Sequence, residues 1–312
     1  MANKEKSFAS AVVYVHNAEN RINQFLKTLI EVMETNFEHS EIVCVNDSST
    51  DKSLNIIKET SGIASTASIS VVNMSYFHGV ELAMNAGVDL AIGDFVFEFD
   101  NTIFDFDPAV IMQIYRHALA GFDIVSASPE KKERFTSKLF YDVFAIYSDR
   151  QYKMSTESFR VLSRRVINRI GSMNKTVPYR KAIYASCGLK IDNIKYPVIS
   201  RKNDMLDDQE RSYRSGLAVD SLILFTKMGY SFAKTMTILM MIVSLLMIVY
   251  SVVIYTTSAP VAGWTTTILF LSVAFFGLFG ILTIIIKYLQ LLVDLVFKRK
   301  HYSYEGIEKL TK

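Results

Sequence analysis

Two long runs without a charged residue, 236–256 and 264–286, restrict what this chain can become in water. Each exceeds the roughly 20 residues a helix needs to cross a bilayer core of about 30 Å. In hydrocarbon a backbone must satisfy its own polar groups, so both runs are expected as transmembrane helices. The link Thr257-Ser258-Ala259-Pro260-Val261-Ala262-Gly263 is short and uncharged, which makes the pair a tight hairpin. Tyr255 and Trp264 stand at its turn, where aromatic side chains anchor at an interface. Lys227 and Lys234 precede the first run; Lys287, Lys298, Arg299 and Lys300 follow the second. The positive-inside tendency then puts both ends in the cytoplasm. The stretch 211–228 carries Leu217, Val219, Leu222, Leu224 and Phe225 among Arg211, Arg214 and Lys227, and is expected to lie along the membrane surface. Lys287, Gln290, Asp294 and Lys298 form a polar stripe at helical spacing. That helix is expected to run along the membrane surface or to pack against another subunit, so a homo-oligomer is one expected state.

Upstream of the hairpin, strand-like and helix-like segments alternate. Ala11-Val12-Val13-Tyr14-Val15, Glu41-Ile42-Val43-Cys44-Val45, Ile69-Ser70-Val71-Val72 and Phe95-Val96-Phe97-Glu98-Phe99 read as buried strands. Between them, 19–34 places Ile22, Phe25, Leu26, Leu29, Ile30 and Met33 on one helical face. A second helix carries Leu54, Ile56 and Ile57, and a third, 79–90, is rich in small residues. Such alternation argues for a parallel, doubly wound α/β sheet with right-handed crossovers. The expected division is a catalytic-type domain at 1–205, a juxtamembrane amphipathic region at 206–233, the two spans with an interfacial extension at 234–297, and a cytosolic basic tail at 298–312. Only Cys44 and Cys187 are present, with neither metal-ligand spacing nor a disulfide framework. The net charge of +3 and the lack of a basic run interleaved with aromatics exclude nucleic acid as an expected partner. Met1-Ala2-Asn3-Lys4-Glu5-Lys6 leads into no apolar core, so no signal peptide is expected.

Open α/β sheets hold ligands at the carboxyl ends of their strands. Three loops meet there: after Val15, after Val45 and after Asp100. Asp100 ends its strand abruptly, as a ligand for a divalent metal carrying a diphosphate or as a cap for the helix near Pro108. Asn46-Asp47-Ser48-Ser49-Thr50-Asp51 is dense in hydrogen-bonding groups just before a helix. It reads as helix capping through Ser49 or Thr50, as a nucleotide pocket, or as both. No Walker pattern and no GxGxxG follows the first strand, which counts against an NTPase and a nicotinamide enzyme.

Val12-Val13-Tyr14-Val15-His16-Asn17-Ala18-Glu19, Val45-Asn46-Asp47-Ser48-Ser49-Thr50-Asp51, Ala86-Gly87-Val88-Asp89-Leu90-Ala91-Ile92-Gly93-Asp94, Asp100 and Ser158-Phe159-Arg160-Val161-Leu162 occur in this order. Together they resemble the family 2 glycosyltransferases, and more narrowly those that act on polyisoprenyl phosphates. The resemblance implies a GT-A-type domain that moves a sugar from a nucleotide-sugar to a polyprenyl phosphate at the cytosolic leaflet. It implies a bacterial inner membrane rather than the endoplasmic reticulum. It assigns His16, Asn17, Glu19, Asn46, Asp47 and Asp51 to the nucleotide, and Asp100 with Thr102 to Mg²⁺ or Mn²⁺. The family's base position is Ser158 here, so the neighbouring Glu157 is the candidate base if its loop turns it inward; Arg160 falls on the motif and is assigned to catalysis, and Arg160, Lys131 and Arg134 are expected to supply the cations an acceptor phosphate needs. Tyr179-Arg180-Lys181 marks a loop near the acceptor. The departures are specific: the family's Asp-x-Asp is Asp100-Asn101-Thr102 here, and its Gly-Asp-Phe-Arg is Glu157-Ser158-Phe159-Arg160. Asp105 and Asp107 stand nearby as substitutes for the missing carboxylate. Two other readings are a transferase to another lipid-linked saccharide, and a catalytically weak relative acting as a binding or assembly subunit.

Overall fold

The computed structural model describes residues 4–130, 156–172, 179–199 and 303–311, with scattered helical positions at 142 and between 210 and 292. Its centre is β1 (Ala9–Val15), an apolar strand buried along its whole length. Alternate side chains leave a strand on opposite faces. Ala11, Val13 and Val15 therefore pack with Phe25 and Leu29 of α1 (Ile22–Asn36) and with Ile111 and Tyr115 of α4 (Ala109–Leu119). Val12 and Tyr14 pack on the other face with Ala83, Met84 and Ala86 of α3 (Val80–Leu90). The small residues of α3 have a steric reason: a Cβ at Gly87 would overlap the side chains of Val12 and Val45.

β1 pairs in parallel with β2 (Ser40–Asn46) on one side and β4 (Phe95–Phe99) on the other. β2 pairs in parallel with β3 (Ser68–Met74), and α2 (Ser53–Ser61) joins the two. Beyond β4, β6 (Phe159–Ser163) runs antiparallel between β4 and β5 (Ile124–Pro129), and β5 pairs in parallel with β7 (Ile191–Tyr196). α5 (Arg164–Ser172) and α6 (Arg180–Ser186) link β6 to β7. The order is β7-β5-β6-β4-β1-β2-β3-β8, a mainly parallel α/β sheet of the expected class.

One expectation changes. Residues within the supposed basic tail form β8 (Tyr304–Lys309), antiparallel to β3. An edge strand leaves a row of unpaired backbone groups, and β8 satisfies those of β3. Thr311 Oγ1 accepts from the Ile69 amide at 2.7 Å, and Leu310 packs on the core. Arg164 donates to the carbonyls of Ala91 and Gly93 and so closes the turn before β4.

Among the described residues no helix is long and apolar enough to cross a membrane. The spans expected at 236–256 and 264–286 lie mostly outside them, as do Lys131, Arg134 and most of 206–233.

Candidate functional site

The loops at the carboxyl ends of β1, β2 and β3 are bound to one another. Asp47, 0% exposed, takes the His78 and Gly79 amides at 2.8 Å each and the Tyr14 hydroxyl at 3.1 Å. Burial pushes its carboxyl above the ordinary value, while these bonds pull it down. Its backbone carbonyl accepts from His16 Nδ1 at 2.7 Å, which fixes that tautomer. Asn17, in the left-handed region at φ 44°, offers Oδ1 to the Thr50 amide at 2.9 Å. Glu19 accepts from the Lys52 amide, and Asp51 accepts from the amides of Glu19 and Ser53. Asp51 thus takes the first amide of α2, a task expected of Ser49 or Thr50. Gly79 opens α3 at φ 79° and ψ 161°, a conformation open in practice only to glycine. A Cβ there would also meet the Tyr213 ring.

These contacts give Asp47 a structural task beside the assigned one. Both of its carboxylate oxygens hold the β3–α3 turn against β2. Asp47→Ala leaves three buried donors without an acceptor and is expected to cost about 3 kcal/mol of stability. Thermal unfolding of the purified protein reads this. An unchanged Tm with weaker nucleotide binding would leave Asp47 to the ligand alone.

Beside these loops lies a closed ring of buried charges. Arg160 of β6 and Arg180 of α6 are each 1% exposed. Glu98 of β4, 0% exposed, bridges them: Oε2 lies 3.0 Å from Arg160 Nη1 and Oε1 lies 2.9 Å from Arg180 Nη1. Asp100 bridges them again, with Oδ2 at 2.7 Å from Arg160 Nη2 and Oδ1 at 2.5 Å from Arg180 Nη2. Glu81 of α3 accepts from the Arg180 amide and Nε, both at 2.9 Å. The Tyr184 hydroxyl donates to Glu98 at 2.7 Å. Arg160 Nε sits 3.2 Å from Glu157, paired by charge but not aligned for a hydrogen bond. Burial alone would raise the Asp100 carboxyl, but Arg160 and Arg180 hold it well below the usual carboxylate range. The Asp100 side chain, 16% exposed, is the part of the ring that reaches the surface most.

Arg160 was expected to meet an acceptor phosphate; instead its guanidinium is enclosed by Glu98, Asp100 and Glu157. Glu157 does turn inward, but toward Arg160. Thr102 is buried, so of the expected metal pair only Asp100 reaches the mouth. Asp105 accepts from the Tyr196 hydroxyl, and Asp107 caps α4 at the Ala109 amide. Among the described residues no three His, Cys, Asp or Glu side chains are grouped to hold a metal ion. The ring nevertheless sets four carboxylates, Glu81, Glu98, Asp100 and Glu157, against two guanidiniums. Lys181 adds positive charge near Asp100. A negative excess with one carboxylate at the mouth fits a cation that brings most of its own ligands.

The model of glycosyl transferase family 2 matches residues 10–171, the segment that holds β1 to β6 and most of the ring. This chain belongs to glycosyl transferase family 2. A glycosyltransferase of Synechocystis sp. is 30% identical over 187 residues, covering 58% of each chain. A prophage bactoprenol glucosyl transferase homolog of Escherichia coli is 30% identical over 193 residues, covering 60% of this chain and 62% of that one. The chain thus matches about three-fifths of the length of these relatives. Among solved structures, glucosyl-3-phosphoglycerate synthase from Mycobacterium tuberculosis, in complex with Mn²⁺, UDP-glucose and phosphoglyceric acid, superposes with a TM-score of 0.50 at 13% identity. That likeness covers 70% of this chain and 79% of the synthase. It shows the α/β, GT-A-like fold.

On this family 2 fold, the expected site residues of the first two loops and Asp100 do gather at one edge of the sheet. What the sequence did not single out is the ring. Arg180 stood only in a loop assigned near the acceptor, and Glu81 and Glu98 carried no assigned role. One signal was present: Glu98 is the lone charged residue of an otherwise aromatic and apolar strand, where a buried carboxylate requires a cation.

Proposed function

We propose that this family 2 chain transfers a sugar from a nucleotide-sugar to a polyprenyl phosphate at the cytosolic face of a bacterial inner membrane. The observation that carries the reading is the end of β4. There Asp100, the most exposed member of the ring, stands at the carboxyl edge of the sheet beside the interlocked loops. The matched relatives named as bactoprenol glucosyl transferases supply the acceptor class. The chemistry is a direct displacement at the anomeric carbon. The acceptor phosphate is already an anion, so it needs orientation and charge neutralisation more than a base. This suits a site where Ser158 replaces the family's acid and Glu157 is held by Arg160. A divalent ion held by Asp100 and the donor diphosphate would neutralise the leaving group. The ring holds Asp100 in place from both sides through Arg160 and Arg180.

Membrane anchoring through the hairpin belongs to the same proposal. Leu239, Ile242, Leu246, Leu278 and Ile285 are helical and outward-facing, as lipid-contacting residues would be. A Cβ at Gly277 would overlap the Met240 side chain, which supports close packing of the two spans. A cysteine placed at Ser258 is expected to react with an impermeant maleimide from outside the cell. Labelling only from the cytosolic side sinks the topology.

A second reading has its own support. Both oxygens of Asp100 are engaged by guanidiniums and the buried Thr102 stands where the family has its second metal-binding carboxylate, as expected of a weak or non-catalytic relative that binds donor or lipid. Purified membranes incubated with radiolabelled nucleotide-sugars and polyprenyl phosphate decide between them. A lipid-extractable product supports transfer, and none with any donor favours the binding role.

A further inference from the structure

Strand β8 reaches the donor loops by two hydrogen-bonded routes. In the first, Glu308 Oε1 accepts from Asn73 Nδ2 at 3.3 Å, and Asn73 Oδ1 accepts from Asn46 Nδ2 at 3.0 Å. Asn46 Oδ1 then accepts from the Ser49 amide at 3.2 Å, and Ser49 Oγ accepts from the Asn17 amide at 3.1 Å. This line crosses β8, β3 and β2 and ends in the loop after β1. In the second, the Ser303 amide donates to His78 Nε2 at 3.2 Å, and the His78 amide donates to Asp47. The Ser303 carbonyl accepts from the Ser75 amide at 3.0 Å. Both routes converge on Asn46 and Asp47 at the carboxyl end of β2.

We propose that residues 303–311 are a positioning element of the nucleotide-donor site, with Glu308 as the residue that sets the β2–α2 loop through Asn73 and Asn46. The inference rests on the donor-binding reading above. Its physical basis is that an Asn side chain has one acceptor oxygen and one donor amide, so its orientation is fixed by the neighbours on both sides. With Glu308 in place, the Asn73 amide is committed toward β8 and its oxygen toward Asn46. Asn46 must then donate to Asn73 and present its oxygen to Ser49. Without Glu308 both amides are released to turn, and the Ser49 amide loses a fixed acceptor. The chain segment that follows the expected spans is thereby coupled to the loop that would receive the donor.

The test uses the full chain in detergent and two readouts. Hydrogen exchange at the Ser49 and Thr50 amides is expected to rise about fivefold in Glu308→Ala, the equivalent of one lost hydrogen bond. Glu308→Gln, whose amide oxygen still accepts from Asn73, is expected to match wild type. So is Lys58→Ala, which removes only the exposed 2.6 Å pair between Lys58 and Glu308. Calorimetric titration with UDP and with GDP, each with Mn²⁺, is expected to show the same ordering, with Kd raised about fivefold in Glu308→Ala alone. Unchanged exchange at Ser49 in Glu308→Ala overturns the positioning role. So does equal loosening in Lys58→Ala, which would make β8 a mere edge cover. If exchange follows the expected order but wild type binds neither nucleotide, the donor reading falls and takes the donor half of this inference with it.

Discussion

Arg160→Met is expected to destabilise the fold by about 3–5 kcal/mol, because it strips a buried ion-pair network of one partner. Glu98 is wholly buried and would keep only Arg180 and Tyr184. Asp100 and Glu157 would lose their shared cation, and two carboxylates would be left poorly compensated beside β4. The same physics makes a second measurement informative. In the double variant Glu98→Gln with Arg160→Met, the cation and one of its buried anions leave together. That protein is expected to be less destabilised than the sum of the single changes, by about 1–3 kcal/mol of coupling. Thermal unfolding of all four proteins completes the cycle. Strictly additive losses would mean that Arg160 contributes through packing against Tyr184 rather than through the ring.

Asp100→Asn is expected to leave the fold intact and to lower sugar transfer by at least about 10²–10³-fold, the scale of losing one preorganised electrostatic partner at a developing charge. The asparagine keeps an oxygen for one guanidinium but carries no charge for a cation. Transfer measured against Mn²⁺ concentration separates the outcomes. Wild-type activity that rises with Mn²⁺ and vanishes in Asp100→Asn supports the proposed role. Equal activity in both removes Asp100 from the centre of the site. The pH dependence has a definite sign. Asp100 is held below its ordinary value by Arg160 and Arg180, so its contribution to stability is fully present above the unfolded carboxyl pKa of about 4. That contribution is lost as the pH falls further, through the lower folded value. Asp51, lowered despite burial by bonds from Ser53 and Glu19, acts in the same direction. Acid unfolding of Asp100→Asn should therefore be shallower below pH ~4 than that of wild type.

The amino-acid sequence by itself determined the first four strands, the helices between them and their order. The unbroken apolar run of β1 required burial on both faces, and the periodicity of α1 required one face on the sheet. The alternation of such segments required parallel strands whose carboxyl ends share an edge. These properties are local, since strand and helix periods depend on neighbours within a few residues. Tertiary structure decided what each charged side chain does. Asp47 and Asp100 both end strands at the same edge, yet one is sealed under a turn and the other, held between two guanidiniums, is partly exposed. Arg160 reads like a free phosphate ligand until Glu98 and Asp100, about 60 positions away, are brought against it. Arg180 meets Glu81 across 99 positions, and Asn73 meets Glu308 across 235. A buried charge is defined by the partner that offsets its desolvation, and no local pattern names a partner so distant. The same holds for β8, whose pairing with β3 depends on an open edge that exists only once the parallel sheet has formed.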